Sequence, residues 1–318
     1  MKQVKMGNTN WTASAVALGI MRMEALSVDD ATKSLQTAVD AGINFVDSAD
    51  IYGMGKSEEN FGQALKQSGI ARDKLFIQSK GGIVTDPARS HGSFVFGQRY
   101  DFSKQHILEA VDGILERMQI DYLDSFLLHR PDPLMEPDQI AAAFDELQMA
   151  GKVRHFGGVS NFNPQQFMLV QEAVSQKLLI NQLQFSIAHT GMVDFGMHTN
   201  MKDERSIDHD GGLLEFARRK GLTIQAWSPF QYGMFEGTFI DSPKYQELND
   251  LLAKLAEKYH TSKNGIAVAW ILRHPANMQV LLGTMTPEHI ADSAAGADIE
   301  LTKQEWYDVY FAAGNDLP

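Results

Sequence analysis

Four side chains of different chemistry stand in three short, related segments. Asp47 and Tyr52 lie in Asn44-Phe45-Val46-Asp47-Ser48-Ala49-Asp50-Ile51-Tyr52-Gly53, Lys80 ends Leu75-Phe76-Ile77-Gln78-Ser79-Lys80, and His129 ends the apolar run of Phe126-Leu127-Leu128-His129-Arg130-Pro131. A free phenol, with a pKa of about 10, is a poor proton donor at neutral pH. An adjacent ammonium favours the phenolate, so Lys80 is expected to lower the pKa of Tyr52 and make it a better acid. Asp47 can pair with Lys80 and fix it, and His129 can donate a hydrogen bond to the same oxygen that Tyr52 protonates. Such a group polarises a C=O bond and delivers a proton, yet it contains no nucleophile. With no metal-ligand set evident, the natural partner is a hydride carried by a nicotinamide cofactor. Each of the four residues alone is more often structural than catalytic. Their joint placement at the ends of successive strands reverses that weighting.

The elements that must position them can be read from the apolar runs. Candidate strands are Ala15-Leu18, Asn44-Asp47, Leu75-Lys80, Tyr122-Leu128, Val153-Gly158, Asn181-Phe185, Thr223-Trp227 and Met278-Leu282, most of them separated by segments of helical period. Ser27 with Asp30 forms a box-like helix start, Pro137 and Pro164 sit at first helical turns, and Gly42 and Gly151 close helices just before strands. Ile107, Ala110, Val111, Ile114, Leu115 and Met118 mark one helix face. Eight near-continuously apolar strands alternating with helices favour a closed (β/α)8 barrel over an open doubly wound sheet, as one domain spanning 1–318. Lys2-Met6 and Trp11-Thr12 read as a hairpin under the barrel. The long connections Gly81-Phe102 and Ser186-Asp210 leave C-terminal strand ends and are expected to cover the site. Phe94, Phe96, Tyr232 and Phe235 would line a substrate pocket or simply pin such loops.

At 318 residues, 44% hydrophobic and 21% charged, the composition is that of a soluble globular protein. A net charge of -12 argues against nucleic acid and anionic membranes as partners. The absence of cysteine excludes disulfides, thiolate nucleophiles and Cys-bound zinc. No signal peptide is read, and no apolar run approaches the ~20 residues of a membrane span, so a cytoplasmic protein acting on a small molecule is expected. Oligomeric state leaves no mark on the sequence.

Several motifs mislead. Gly53-Met54-Gly55-Lys56-Ser57 ends like a phosphate loop, but Asp50 stands where its first glycine is required, so the segment reads as a turn opening a helix at Lys56 and Ser57. No Gly-x-Gly-x-x-Gly follows a strand. His189, His198 and His209 share a loop without the spacing of a compact metal set, and no metal is expected.

The chain resembles the aldo-keto reductases. Asp47-Ser48-Ala49, Tyr52-Gly53, Ser79-Lys80 and Leu127-Leu128-His129-Arg130-Pro131 look like that family's catalytic signatures, and the likeness continues along almost the whole length. It implies that Asp47, Tyr52, Lys80 and His129 are catalytic. It also implies that Ser160, Asn161 and Gln182 hold the nicotinamide carboxamide, that Trp227 stacks on the ring, and that Ser228 and Phe230 meet the pyrophosphate. Gly283, Met285, His289 and Asp292 would line the adenosine end, with Met21 a further cofactor residue. The tail Leu301-Thr302-Lys303-Gln304-Glu305-Trp306-Tyr307 looks like a bacterial predicted-oxidoreductase branch. The implied reaction is reduction of an aldehyde or ketone with hydride from NADPH, NADH being possible, and a proton from Tyr52. His289 stands where an arginine often grips the 2′-phosphate, and imidazole is the weaker clamp. Two other functions stay open. One is a regulatory, redox-sensing protein that holds the cofactor but turns over slowly, although a sensor needs no proton donor. The other is a Schiff-base aldolase using Lys80, which Asp47 opposes by keeping the amine charged.

Overall fold

The computed structural model describes residues 1–92 and 95–318. Its centre is a closed barrel of eight parallel strands: β1 (Val16–Gly19), β2 (Phe45–Asp47), β3 (Phe76–Gly81), β4 (Leu123–His129), β5 (Val153–Ser160), β6 (Ile180–Gln184), β7 (Thr223–Trp227) and β8 (Met278–Leu282). The strands follow one another around the ring, and β8 closes on β1 through Val280 opposite Val16 and Leu282 opposite Leu18. The wall helices are α1 (Val28–Asp40), α2 (Lys56–Ser68), α3 (Lys104–Met118), α4 (Pro137–Met149), α5 (Pro164–Ala173), α6 (Leu213–Lys220), α7 (Gln246–Tyr259), α8 (Lys263–Arg273), α9 (Pro287–Ala295) and α10 (Lys303–Ala312). The hairpin of Gln3–Lys5 and Thr12–Ser14 precedes β1.

The local signals act as their chemistry requires. The Ser27 hydroxyl accepts from the Asp30 amide at 3.1 Å and donates to its carboxylate at 2.7 Å, while Asn163 and Gln166 complete a capping box on α5. On α3, Ile107, Val111, Ile114, Leu115 and Met118 are buried. Gly158 is demanded by space as well as conformation: its φ is +131°, and a Cβ there would stand 2.3 Å from the Ile180 carbonyl oxygen. This close passage of β5 beside β6 leads directly to Ser160.

The barrel interior departs from the expectation of near-continuous apolar packing. Gln78, Gln225 and Gln279 are fully buried and Gln182 nearly so, and they form one hydrogen-bonded layer. Gln78 donates to Gln225 at 2.8 Å, Gln182 to Gln225 at 3.1 Å, Gln225 to Gln279 at 2.8 Å and Gln279 to the Ser14 carbonyl at 2.8 Å. Amides that satisfy one another escape most of the cost of burying polar groups. The two long connections also differ. Gly81-Phe102 contains a hairpin of Ile83–Thr85 and Gly97–Tyr100 that reaches over the barrel mouth. Ser186-Asp210 carries a helix (Gly191–Met197) and binds the C-terminal segment through Thr190 to Asn315 and Arg205 to Asp316, and none of its residues lines the cleft. It was expected to cover the site; the segment after β7 does so instead.

Candidate active site

At the C-terminal ends of the strands the barrel opens into a cleft of about 1280 Å³. Asp47 ends β2, Tyr52 lies in the short helical turn Tyr52–Gly55, Lys80 lies near the end of β3 and His129 ends β4. The four predicted residues meet there. The buried Lys80 ammonium donates to Asp47 Oδ2 at 2.9 Å, to the Ser48 carbonyl, and to the Tyr52 hydroxyl at 3.2 Å. The rings of Tyr52 and His129 stand edge to face with centroids 6.3 Å apart.

Asp47 is fixed from below. Its Oδ1 accepts from Gln78 at 2.7 Å and from Gln182 at 3.0 Å, leaving Oδ2 to Lys80. Gln182 was expected at the carboxamide; its amide nitrogen instead joins the glutamine layer. Burial alone would discharge Lys80, but Asp47 and Tyr52 outweigh it and hold the pKa above that of an ordinary lysine. An amine kept charged is a poor Schiff-base nucleophile. The expectation for Tyr52 is corrected: burial raises its pKa, Lys80 pulls it down, and burial prevails because Asp47 already balances much of the lysine charge. The phenol therefore rests protonated. His129 is driven well below the ordinary histidine pKa, chiefly by burial and then by the positive charges of Lys80 and Arg130, so it is a neutral imidazole. Its Nδ1 is buried without a partner among the described residues, leaving Nε2 as the nitrogen open to the cleft.

The walls above this group come from the ends of β4, β5 and β7, each followed by a non-glycine residue in left-handed conformation: Arg130 (φ +77°), Asn161 (φ +59°) and Ser228 (φ +50°). Such strain is uncommon and concentrates at functional sites. Trp227 donates its indole N–H to Asn161 Oδ1 at 3.1 Å, and the Arg130 guanidinium lies 5.4 Å from the Trp227 ring centroid. Asn161 Nδ2 and Gln182 Oε1 make no hydrogen bond among the described residues. One donor and one acceptor remain, the complement of a primary carboxamide, so the donor set fits the nicotinamide group that the sequence implies. Ser160, Ser228 and Phe230 line the cleft, as do Met21, Gly283, Met285, His289 and Asp292.

Some contributors escaped the sequence reading. Arg22 donates to the Gly283 carbonyl at 2.8 Å, and Lys263 pairs with Asp241; both cations line the cleft. Beneath the Tyr52 turn, Glu58 is fully buried, accepting from Ser79 at 2.7 Å and from Arg117 at 2.8 Å. Of the candidate pocket aromatics, Phe235 lines the cleft, Tyr232 packs on Tyr245 and Phe96 lies against Arg89, while Phe94 falls outside the described residues. His198 is bonded to Asp203 and His209 sits against Phe195, and no three metal-ligating side chains converge among the described residues. Nor is any helix of the described residues long and apolar enough to cross a membrane.

Comparison with known proteins agrees with this geometry. Residues 15–310 match the profile of the aldo/keto reductase family. The chain is 33% identical over 286 residues to the oxidoreductase YdhF of Escherichia coli (strain K12), covering 89% of this chain and 88% of that protein. It is 34% identical over 293 residues to a 6-dehydroglucose reductase of Agrobacterium fabrum, covering 90% of each. The crystal structure of the thermostable aldo-keto reductase Tm1743 shares the fold, with a TM-score of 0.75 at 24% identity, covering 98% of this chain and 100% of that one. The chain belongs to the aldo/keto reductase family.

Proposed function

We propose that the protein reduces an aldehyde or ketone to an alcohol with NAD(P)H, Tyr52 giving the proton. The observation that carries this reading is the 3.2 Å contact between the Tyr52 hydroxyl and the Lys80 ammonium, beside a neutral His129. Members of the family use nicotinamide cofactors, and the bound dihydronicotinamide supplies a hydride to the carbonyl carbon. His129 Nε2–H and the Tyr52 hydroxyl converge on the carbonyl oxygen and orient it. As negative charge grows on that oxygen, the phenolic proton moves to it, and the phenolate left behind is stabilised by Lys80. The raised resting pKa keeps Tyr52 loaded with its proton, while Lys80 lowers the cost of giving it up. Asp47 acts through Lys80: it fixes the ammonium without touching substrate.

For the cofactor, Asn161 and Gln182 are the carboxamide partners, Trp227 offers its ring to the nicotinamide, Ser160 lies beside them, and Ser228 and Phe230 flank the pyrophosphate. Gly283, Met285, His289 and Asp292 take the adenosine end, with Met21 nearby. NADPH is the proposed first choice, weakly discriminated from NADH. Lys263 is committed to Asp241, His289 is only an exposed imidazole, and the Asp292 carboxylate opposes a 2′-phosphate. The test is a fluorescence titration with each cofactor, followed by a panel of small carbonyls read by cofactor absorbance. Oxidation of the cofactor by wild type is expected. Binding without turnover on every carbonyl would leave a cofactor-holding protein and refute the reductase.

A further inference from the structure

Arg130 follows the catalytic histidine but has no part in the proton transfer above. Its backbone is held at φ +77°, a strained value for a side chain of this size. Its guanidinium is half-buried in the cleft wall, stacked on Trp227, and makes no hydrogen bond or ion pair with any described residue. The other basic side chains lining the cleft are engaged: Arg22 on the Gly283 carbonyl, Arg99 with Asp101 at 3.5 Å and Lys263 with Asp241. A guanidinium carries five N–H donors and cannot shed its charge, so partial burial without an acceptor is costly unless something that enters the cleft supplies one. Burial already depresses its pKa, with Tyr100 and Tyr52 acting in the opposite direction, so its charge lies within reach of the reacting phenol. Tyr100, on the hairpin over the mouth, lines the same cleft.

We infer that Arg130 is a substrate-anion receptor, and that the carbonyl substrate is a short aldehyde or keto acid whose carboxylate takes the guanidinium fork while its C=O lies at Tyr52 and His129. This rests on the reductase reading above. The planar fork matches a carboxylate through two parallel bonds. No second uncommitted cation stands beside it among the described cleft residues, which favours a monoanion over a phosphate dianion. Stacking on Trp227 holds the fork in one plane before substrate arrives, reducing the ordering cost of binding.

The test compares 4-oxobutanoate with its methyl ester at saturating cofactor, in wild type, Arg130→Gln and Arg130→Lys. Wild type should favour the acid in kcat/KM by about 10- to 100-fold, the scale of a charge-assisted bond. Arg130→Gln should lower the acid's kcat/KM at least about tenfold more than the ester's, and Arg130→Lys should restore part of the difference because charge returns without the fork. Cofactor affinity, titrated separately, should change little. Ester reduction with no preference for the acid in wild type would overturn the anion receptor alone. Equal loss on both substrates would make Arg130 a structural or general element, and a large loss of cofactor affinity would assign its charge to the cofactor; either overturns the inference. If neither substrate were reduced, the reductase reading would be decided by the wider carbonyl panel, and tryptophan quenching by 4-hydroxybutanoate would decide this one: quenching lost in Arg130→Gln supports the receptor, and no quenching in wild type refutes it.

Discussion

Asp50 gives the sharpest physical test because its cost can be worked from its surroundings. It lies three residues after Asp47, its amide donating to the Lys80 carbonyl at 3.0 Å, and its Oδ1 is buried with no partner among the described residues. Arg117, the cation that acts on it most strongly, is committed to Glu58. Burial, then the Glu58 carboxylate, push the Asp50 pKa from 3.8 to about 8, against weaker opposing effects of Arg117, the Ile51 amide and Lys80. The folded protein therefore keeps a proton that the unfolded chain releases above pH ~4, so stability falls as pH rises from ~4 to ~8. At ~1.4 kcal/mol per pH unit, the interval from pH 5 to 8 bounds the loss at ~4 kcal/mol, and relaxation of the site should reduce it to ~2 kcal/mol. Asp50→Asn removes the titrating group with little change in volume. Urea unfolding across that interval should show the variant gaining on wild type steadily with pH, and a protonated-carboxyl infrared band should vanish with the substitution. Parallel stability curves would refute the reasoning, because they would mean that Asp50 is ionised in the fold.

Tyr52→Phe should lower carbonyl reduction by ~10²-fold or more while leaving cofactor affinity nearly intact, as followed by steady-state rates and fluorescence titration. Asp241→Asn releases Lys263 and should raise NADPH affinity relative to NADH up to about fivefold, the reach of a partly exposed ion pair; His289→Arg should move the ratio the same way, and an unchanged ratio in both would remove this end of the cleft from cofactor choice. Lys80→Met should destabilise by ~3–5 kcal/mol because Asp47 keeps its buried charge without a cation; Asp47→Asn with Lys80→Met should recover most of that in urea melts yet remain inactive. Trp306→Ala opens the stack in which Trp306 lies parallel to Trp270 at 4.8 Å, and should cost ~3–5 kcal/mol without altering kcat in the folded fraction.

The barrel was legible because the strands are short, mostly apolar runs separated by segments of helical period, and because the caps are local. Ser27, Pro137 and Asn163 act within three or four residues, so sequence distance and spatial distance agree. The four catalytic candidates were legible for a related reason: the barrel brings successive strand ends side by side, so order along the chain becomes proximity around the mouth. Charge balance was not legible. Whether Lys80 lowers the Tyr52 pKa depends on how much of its charge Asp47 has taken and how deeply the ring is buried, both long-range quantities. The connection 186–210 misled because its length resembles that of a lid, whereas its contacts to Asn315 and Asp316 lie more than 100 positions away. The signal for the polar layer lies in the strands themselves: Gln78, Gln182 and Gln225 each stand third in their strand and Gln279 second, among residues that otherwise face the core.

In the proposed mechanism, that layer is what lets a buried charged pair serve catalysis. A lysine with no exposed surface beside a nearly buried aspartate is expensive, and an apolar barrel floor would leave half of the carboxylate without partners. Two neutral amides cover Oδ1 and are themselves tied through Gln225 and Gln279 to the Ser14 carbonyl, so Asp47 is held by three donors on β3 and β6, strands that cannot move independently. A cation in that position would compete with Lys80 for the carboxylate and weaken the pull on Tyr52. A glutamine supplies direction without net charge. The Lys80 ammonium thus faces the phenol along a fixed line before any substrate binds, and a proton donor whose counter-charge is already in place pays little reorganisation when it reacts. Replacing Gln78 or Gln225 by leucine should accordingly depress kcat more than KM, since the damage falls on Lys80 geometry rather than on the walls of the cleft.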